Sequence, residues 1–341
     1  MKTSLNAGTT SIVELRYLLS KKYNTLIKNN VKTLNSRSQS AGVCKLIENN
    51  LLINNKLNFG NLTRTQMFNV FNTSNIRQFS STASQRLNAK DMAWLVGFVE
   101  GDGWFSITKN GNYCKYEFGI EVSQRDIQLL YKIKILLGVG TVSIRKTRDT
   151  VLFRISSKNH LSDIIIPIFD SCPMFTTKHW DYINFKENLM NNVVYYKDLK
   201  PYLRTNNLPF KSVDNILTNP NFDNWLVGFI EAEGCFSFYK PLKEVNSTAS
   251  FDVCQTNGLQ VLTAIKTKLN FKSNVNEESS NHFRLKTTSI EGIQNIINFL
   301  NKAETKLRGY KRLQYLLFLK HLRVNTKYNI KLTIPIKYGK N

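Results

Sequence analysis

The sequence predicts an α+β fold built from two pseudo-symmetric copies of one unit, each an αββαββα succession with antiparallel strands. Three observations predict it. The segment Trp94–Ser106 returns as Trp225–Ser237 with 9 of 13 positions identical at a constant offset of 131 residues. A period of that length is a fused domain, since solenoid repeats recur every ~20–50 residues. Each copy is followed by the same sequence of hydrophobic periods, first strand-like, then helical, then strand-like, then helical. Between the copies, residues 197–221 hold Pro201, Pro209 and Pro220 among polar residues, as a linker does. The expected partition is a leader over residues 1–90, a first repeat over 91–196, the linker, and a second repeat over 222–341.

The first helix starts near Asp91, a residue able to cap it, and carries Trp94, Leu95 and Phe98 on one side. Gly97 and Gly101 lie four apart and share a face, as Gly228 and Ala232 do in the second copy. Small residues at this spacing let two helix backbones approach, so the two repeat helices are expected to pack against each other. Gly103 and Gly234 are expected to end them as C-caps. Phe105 and Ile107 then alternate with Ser106, Thr108 and Asn110, and the chain turns at Gly111–Asn112. In Lys115–Gln124, Tyr116, Phe118, Ile120 and Val122 form an apolar face, with Gln124 in phase with them. Arg125–Leu137 reads as an amphipathic helix through Ile127, Leu130, Tyr131, Ile133, Leu136 and Leu137, stopped by Gly138. Strands near Thr141–Thr147 and Val151–Ser157 and helices at Asn159–Phe169 and Thr177–Leu189 close the unit. The second copy repeats the order: a helix from Asp223 to Glu233, strands near Cys235–Lys240 and Thr248–Gln255, and a helix at Gly258–Leu269. Strands near Ser273–Glu278 and His282–Thr287 and helices at Ile290–Asn301 and Tyr310–Arg323 follow. The basic tail Asn325–Asn341 holds two more strand-like pieces at most.

Composition narrows the function. Of 341 residues, 42% are hydrophobic, enough for a real core. Forty-seven Lys and Arg against 24 Asp and Glu give a formal charge of +23. That balance suits a polyanionic partner, nucleic acid first, with a ribosomal or membrane-surface role as the alternative. No run of about 18 apolar residues occurs, so no membrane-spanning helix is expected. Cys44, Cys114, Cys172, Cys235 and Cys254 form no CxxC pair and read as free thiols. Residues 1–90 carry thirteen Lys and Arg, two acids and fifteen Asn without sustained periodicity. They fit a mitochondrial transit segment, and equally a poorly folded, dispensable leader translated from AT-rich sequence.

The chemistry points to the ends of the two repeat helices. Asp102 and Glu233 fall in the last turn, where the helix dipole disfavours a carboxylate unless a cation is present. If the helices pack about a pseudo-twofold axis, the two acids meet. Adjacent carboxylates share a proton or bind a cation, and oxygen ligands without nearby His or Cys suit Mg²⁺. Acids holding a divalent ion beside a polyanion groove suggest metal-assisted phosphodiester hydrolysis. Gln124 and Gln255 also lie 131 apart, and each is expected to be buried where it could orient water. Lys178 and Lys311 lie 133 apart, each followed four residues later by Tyr182 or Tyr315. An ammonium there could stabilise charge on a scissile phosphate. The strands supply a polar face with Ser106, Thr108, Asn110, Arg145, Ser237, Tyr239, Arg284 and Lys286. Two such faces about the axis would make a long cradle suited to a duplex groove.

With those residues in view, both repeats resemble the LAGLIDADG motif. The segment from about Asp91 to about Pro335 is similar to a two-repeat LAGLIDADG homing endonuclease. Stretches such as Leu95–Ile107, Tyr131–Gly140, Lys158–Leu161, Trp225–Ser237 and Gly309–Tyr315 resemble most nearly the fungal mitochondrial cytochrome b intron proteins. The resemblance implies saddle-shaped sheets cradling double-stranded DNA and Mg²⁺ shared between Asp102 and Glu233. Gln124, Gln255, Lys178 and Lys311 would occupy the surrounding active-site positions, and both strands would be cut to leave short 3′ overhangs. It also implies a monomer, a mitochondrial location, and a group I intron whose RNA some members help to splice as maturases. Having Asp in one copy and Glu in the other departs from exact symmetry and implies unequal cutting of the two strands. The leader lies outside the resemblance.

Overall fold

The structure is a computed structural model that describes residues 87–207, 209–210, 212–239 and 247–338. These residues all fall within one compact unit of the chain, Val70–Asn341. The expected leader lies outside the described residues except at its last few positions.

Two helices form the centre. Helix α1 (Ala89–Asp102) buries eight consecutive residues, Ala93 to Glu100. Its counterpart α6 (Phe222–Glu233) buries Phe222 and Trp225 to Glu231. A helix buried all round must be enclosed by other elements. Each is enclosed by its own sheet on one side and by the other helix along the pseudo-twofold axis. Trp94 stacks on Phe98 at 5.4 Å and Trp225 on Phe229 at 4.8 Å, so four large rings fill the seam. Burying each such side chain contributes about 1.5–3 kcal/mol.

The glycines set how closely the helices approach. A Cβ on Gly97 would lie 2.9 Å from the carbonyl carbon of Trp225, and one on Gly228 would lie 2.8 Å from that of Trp94. Each would come still nearer the carbonyl oxygen. A Cβ on Gly101 would run into that of Ala232. At Gly97 and Gly228 only hydrogen fits, because backbone cannot move aside as a side-chain tip can.

Each helix runs directly into a strand. In the first half β1 (Gly103–Asn110), β2 (Tyr113–Ser123), β3 (Thr141–Arg145) and β4 (Thr150–Ile155) form an antiparallel sheet of order β1-β2-β4-β3. In the second half β5 (Cys235–Tyr239), β6 (Thr248–Thr256), β7 (Val275–Ser279) and β8 (His282–Thr287) repeat it as β5-β6-β8-β7. Register pairs Phe105 with Phe118 on the core face and Ser106 with Glu117 on the other. Pleating therefore separates a buried aromatic face from a polar one. The hairpin turn is Gly111–Asn112, with Gly111 at φ 61°. Helix α2 (Ile127–Leu137) ends at left-handed Gly138, φ 72°. Helix α3 (residues 158–171) contains a π-turn over Leu161–Ile165, and α4 (Lys178–Met190) completes the half. In the second half α7 (Leu259–Lys268), α8 (Ile290–Lys302) and α9 (Tyr310–Val324) take those places.

Several expectations need correction. Asp91 does not cap α1; Asn88 does, its Oδ1 accepting from Asp91 N at 2.8 Å. Asp91 sits in the first turn, where its charge complements the dipole, and ion-pairs with Arg308. Asp223 likewise lies inside the first turn of α6, paired with Lys268 at 2.5 Å. Gly103 and Gly234 follow their helices in extended conformations, φ −104° and −69°, and not as left-handed caps. A 3₁₀ turn over Gln124–Asp126 precedes α2, and Tyr131 on α2 is exposed. The linker is not structureless: α5 (Val213–Leu217) lies within it and buries Ile216. The described tail forms no strand; Tyr328, Leu332 and Tyr338 are buried instead.

Candidate active site

Asp102 is the last residue of α1 and Glu233 the last of α6. The close helix contact brings these ends together, since Gly101 abuts Ala232 and a Cβ there would lie 3.1 Å from Glu233 Oε1. Burial, and then the Glu233 charge, push the Asp102 carboxyl up to about 7. Burial also raises Glu233. Neither carboxylate has a hydrogen-bond or ion-pair partner among the described residues. Two part-buried, unpartnered acids that repel each other fit a hard divalent cation. No cluster of three or more His, Cys, Asp or Glu is present among the described residues. The acids thus offer two protein ligands and leave other positions to water and phosphate oxygens, a pattern Mg²⁺ favours.

Two lysines stand beside them. Lys178, the first residue of α4, donates from Nζ to Val99 O (3.0 Å), Gly101 O (3.0 Å) and Gly103 O (2.6 Å). Burial lowers its pKa to about 8, against the opposing pull of Glu100, Asp102 and Glu233. Lys311, in the first turn of α9, donates to Gly234 O. Each ammonium thus satisfies the open carboxyl end of a repeat helix and offsets the acid's unfavourable position there.

Sequence reasoning missed the residues that place these lysines. Glu100 is fully buried and accepts from Phe175 N (3.0 Å), Thr176 N (2.6 Å) and Trp225 Nε1. Its counterpart Glu231 accepts from Arg308 N and from Gly309 N at 3.0 Å. Each glutamate fixes the backbone just before a lysine helix. Burial raises both carboxyls, Glu231 to about 7. A signal was available: both glutamates sit in the repeat at the 131-residue offset. Asp126 joins the halves, its Oδ1 accepting from Tyr310 N at 2.6 Å.

The glutamines differ from expectation. Gln124 is exposed, because β2 ends at Ser123 and the 3₁₀ turn rotates Gln124 off the apolar face. Gln255 stays in β6 opposite Phe283 but is only half-buried. Tyr182 and Tyr315 are buried core residues whose hydroxyls do not face the acids in any hydrogen bond; that of Tyr182 bonds Ile166 O and Asp170.

The polar sheet faces hold all eight expected cradle residues, some already engaged. Thr108, Asn110, Tyr239 and Lys286 are exposed, with Lys286 Nζ 4.9 Å from the Tyr239 ring centroid. Ser106 donates to Glu117 O at 3.4 Å, and Ser237 bonds Ser250 at 2.7 Å. Arg145 pairs with Glu121 at 3.7 Å. Arg284 is held by Asp252 (3.0 Å) and Glu278 (2.6 Å). The unforeseen acids fix guanidinium directions and temper the positive face. Among the described residues no helix is long and apolar enough to cross a membrane. The four cysteines described are free thiols.

The pattern of the LAGLIDADG endonuclease family matches residues 95–189 and again 226–322. The chain belongs to the LAGLIDADG endonuclease family. Both matches begin one residue into the repeated segment and run through the lysine helices. The family member is 30% identical over 316 residues to the probable intron-encoded endonuclease Cox1-I1b of Schizosaccharomyces pombe, covering 84% of this chain and 74% of that relative. That relative is a Cox1 intron protein by name, and the expected cytochrome b subgroup is not shown by it. It is 24% identical over 177 residues to the intron-encoded RNA maturase bI4 of Saccharomyces cerevisiae, covering 51% of this chain and 24% of that relative. Among solved structures it resembles I-SmaMI bound to an uncleaved DNA target in the presence of calcium ions. The TM-score is 0.55 at 23% identity, covering 69% of this chain and 90% of that one. At that identity the likeness establishes the shared two-sheet fold.

Proposed function

We propose that this endonuclease is a site-specific homing enzyme encoded by a mitochondrial group I intron, cutting both strands of duplex DNA at the intron's insertion site. The observation that carries the reading is the pair of unpartnered carboxylates, Asp102 and Glu233, at the joined ends of two helices. A DNA-binding regulator has no use for such a pair, whose mutual repulsion costs stability. Held between these acids, Mg²⁺ would supply Lewis-acid stabilisation of phosphate oxygens. Lys178 and Lys311 hold positive charge beside the scissile phosphates, which favours the transition state over the ground state. Gln255, half-buried near the end of β6, would orient water, and exposed Gln124 would do so only once DNA covers it. Ser106, Thr108, Asn110, Arg145, Ser237, Tyr239, Arg284 and Lys286 form the duplex-facing surface, where arginines can read guanine and acids cytosine. Gly97, Gly101, Gly228 and Ala232 hold the interface that joins the acids. One chain supplies both acids, so it acts as a monomer. The DNA-bound state of the similar I-SmaMI and the intron origin of the similar Cox1-I1b support this reading. The basic, acid-poor leader composition is consistent with a mitochondrial setting. The test is incubation with Mg²⁺ and a plasmid carrying the joined exon sequence. Linearisation by the native chain, lost in Asp102→Asn and Glu233→Gln, is expected; no cutting with any divalent ion overturns the reading.

A second reading is favoured by the similarity to the bI4 maturase: assistance to the splicing of the intron's own RNA. Splicing of precursor RNA that persists in Asp102→Asn is the expected sign, and precursor RNA that splices no faster with protein than without it removes this reading.

A further inference from the structure

A cavity of about 380 Å³ opens where the start of α1, the middle of α2 and the α8–α9 connection meet. Its walls carry five cations, Lys90, Lys132, Lys306, Arg308 and Arg312, against the acids Asp91 and Glu304. These cations are held in place. Lys132 Nζ donates to Arg308 O at 2.8 Å, and Lys306 Nζ to Asn301 O at 2.7 Å. Arg308 pairs with Asp91 and lies 4.3 Å above the Trp94 ring. Lys90 pairs with Glu304 at 2.9 Å on the rim. Arg312 donates from Nη2 to Tyr338 O at 3.4 Å, while its Nε is buried without an acceptor. Five cations gathered in one recess against two acids leave a net positive lining suited to an anionic oxygen.

The position separates this cavity from the cleavage site. It lies at the amino end of α1, whereas Asp102 ends the same 14-residue helix. At about 1.5 Å per residue the two are about 16 Å apart along the axis. A phosphate held between the acids does not reach the cavity. The cationic lining suits a polyanion at a point other than the one between the acids. A recess of this size admits a protruding or sharply turned phosphodiester backbone, which folded RNA presents at bulges and loops and a smooth B-form duplex does not.

We infer that this pocket binds the phosphodiester backbone of a folded RNA. The inference deepens the maturase reading and rests on it only for the class of polymer. Binding is measured with the full chain by fluorescence anisotropy, using a labelled three-way-junction RNA and a DNA duplex of equal charge as probes. The charge-reversed pair Lys90→Glu with Lys132→Glu is compared with the conservative pair Lys90→Arg with Lys132→Arg, both checked for an unchanged melting temperature. RNA affinity is expected to fall about tenfold or more in the reversed pair, with the salt slope shallower by about one to two, and to survive in the conservative pair. DNA duplex affinity is expected to move by less than about twofold, and saturating duplex to leave RNA bound. RNA affinity unchanged by charge reversal, equal losses for RNA and duplex, or displacement of RNA by duplex overturns the inference. So does a native chain that fails to bind the RNA. Intact pocket-dependent binding without faster splicing removes the maturase reading and leaves the pocket standing.

Discussion

Replacing Gly97 with alanine tests the helix interface by the sign of its effect. Helix propensity alone predicts that Gly→Ala inside α1 stabilises by about 1 kcal/mol. The structure predicts the opposite. The new methyl would lie 2.9 Å from the carbonyl carbon of Trp225 and 3.0 Å from Phe229 N, where carbon contacts sit at about 3.5–4.0 Å. Both obstacles are backbone, so the helices must separate by about 1 Å. A gap of that size forfeits roughly a quarter to a half of each dispersion contact along the seam, and overpacking in cores costs about 1–3 kcal/mol. Set against the propensity gain, the upper part of that range leaves a net loss of about 1–2 kcal/mol, or a melting point lower by about 2–8 °C for a unit of this size. Gly111→Ala is the control: its φ is 61° with open space around it, so only backbone strain of about 1 kcal/mol applies. Gly228→Ala should behave like Gly97→Ala, because its methyl meets Trp94 across the same contact. One separation relieves both clashes, so the double variant should lose less than the two losses added. Thermal and urea unfolding read all four. A Gly97→Ala protein as stable as the native chain, or a strictly additive double variant, would refute the argument.

Asp102→Asn and Glu233→Gln should each abolish plasmid cleavage and raise the metal-free melting temperature, since each removes one of two repelling charges; scanning fluorimetry without divalent ions checks the second effect. The Asp102 carboxyl, held near 7 against an ordinary value of 3.8, contributes stability that is complete below about pH 4 and lost as pH rises through 7. The metal-free melting point should thus fall from pH 6 to pH 8 while the shift induced by Mg²⁺ grows; a Mg²⁺ shift independent of pH contradicts the assignment. Lys178→Met should slow single-turnover cleavage about a hundredfold and lower stability more than Lys311→Met, because Lys178 serves three carbonyls and Lys311 one. Duplex affinity should fall steeply with added salt, as filter binding across a salt series will read; a flat dependence excludes the cradle.

Elements governed by local period were legible in the sequence. His282–Thr287 is a strand at the expected residues because its alternation is uninterrupted, and α1 and α6 were visible through their repetition. The acids were legible for the same reason. What failed depended on one residue of geometry or on distant partners. The β2 alternation extends by sequence to Gln124, one residue past the point where the chain enters its 3₁₀ turn. Nothing in the short acidic side chain of Asp91 distinguishes a cap from a first-turn residue by sequence; the Asn88 bond decides it. The pairing of Arg284 with Asp252, 32 residues away, exists only once β6 and β8 are in register.

The buried glutamates show why the acids, the lysines and the helix seam cannot be separated. Glu100 fixes the backbone at Phe175 and Thr176, which sets where α4 begins. The first residue of α4, Lys178, reaches back to the last carbonyls of α1. The path closes on the helix that carries Glu100 and Asp102. Because an ammonium satisfies those carbonyls, α1 needs no left-handed glycine to end it, and Gly103 enters β1 in an extended conformation. The acid therefore stands at a rigid helix-to-strand junction and not on a loop, the kind of placement that the proposed catalytic role requires. Glu231, Gly309 and Lys311 form the same closed path with fewer bonds. The first half thus holds its lysine more firmly than the second. Under the proposed function, that difference, together with Asp against Glu, predicts that the two DNA strands are cut at unequal rates.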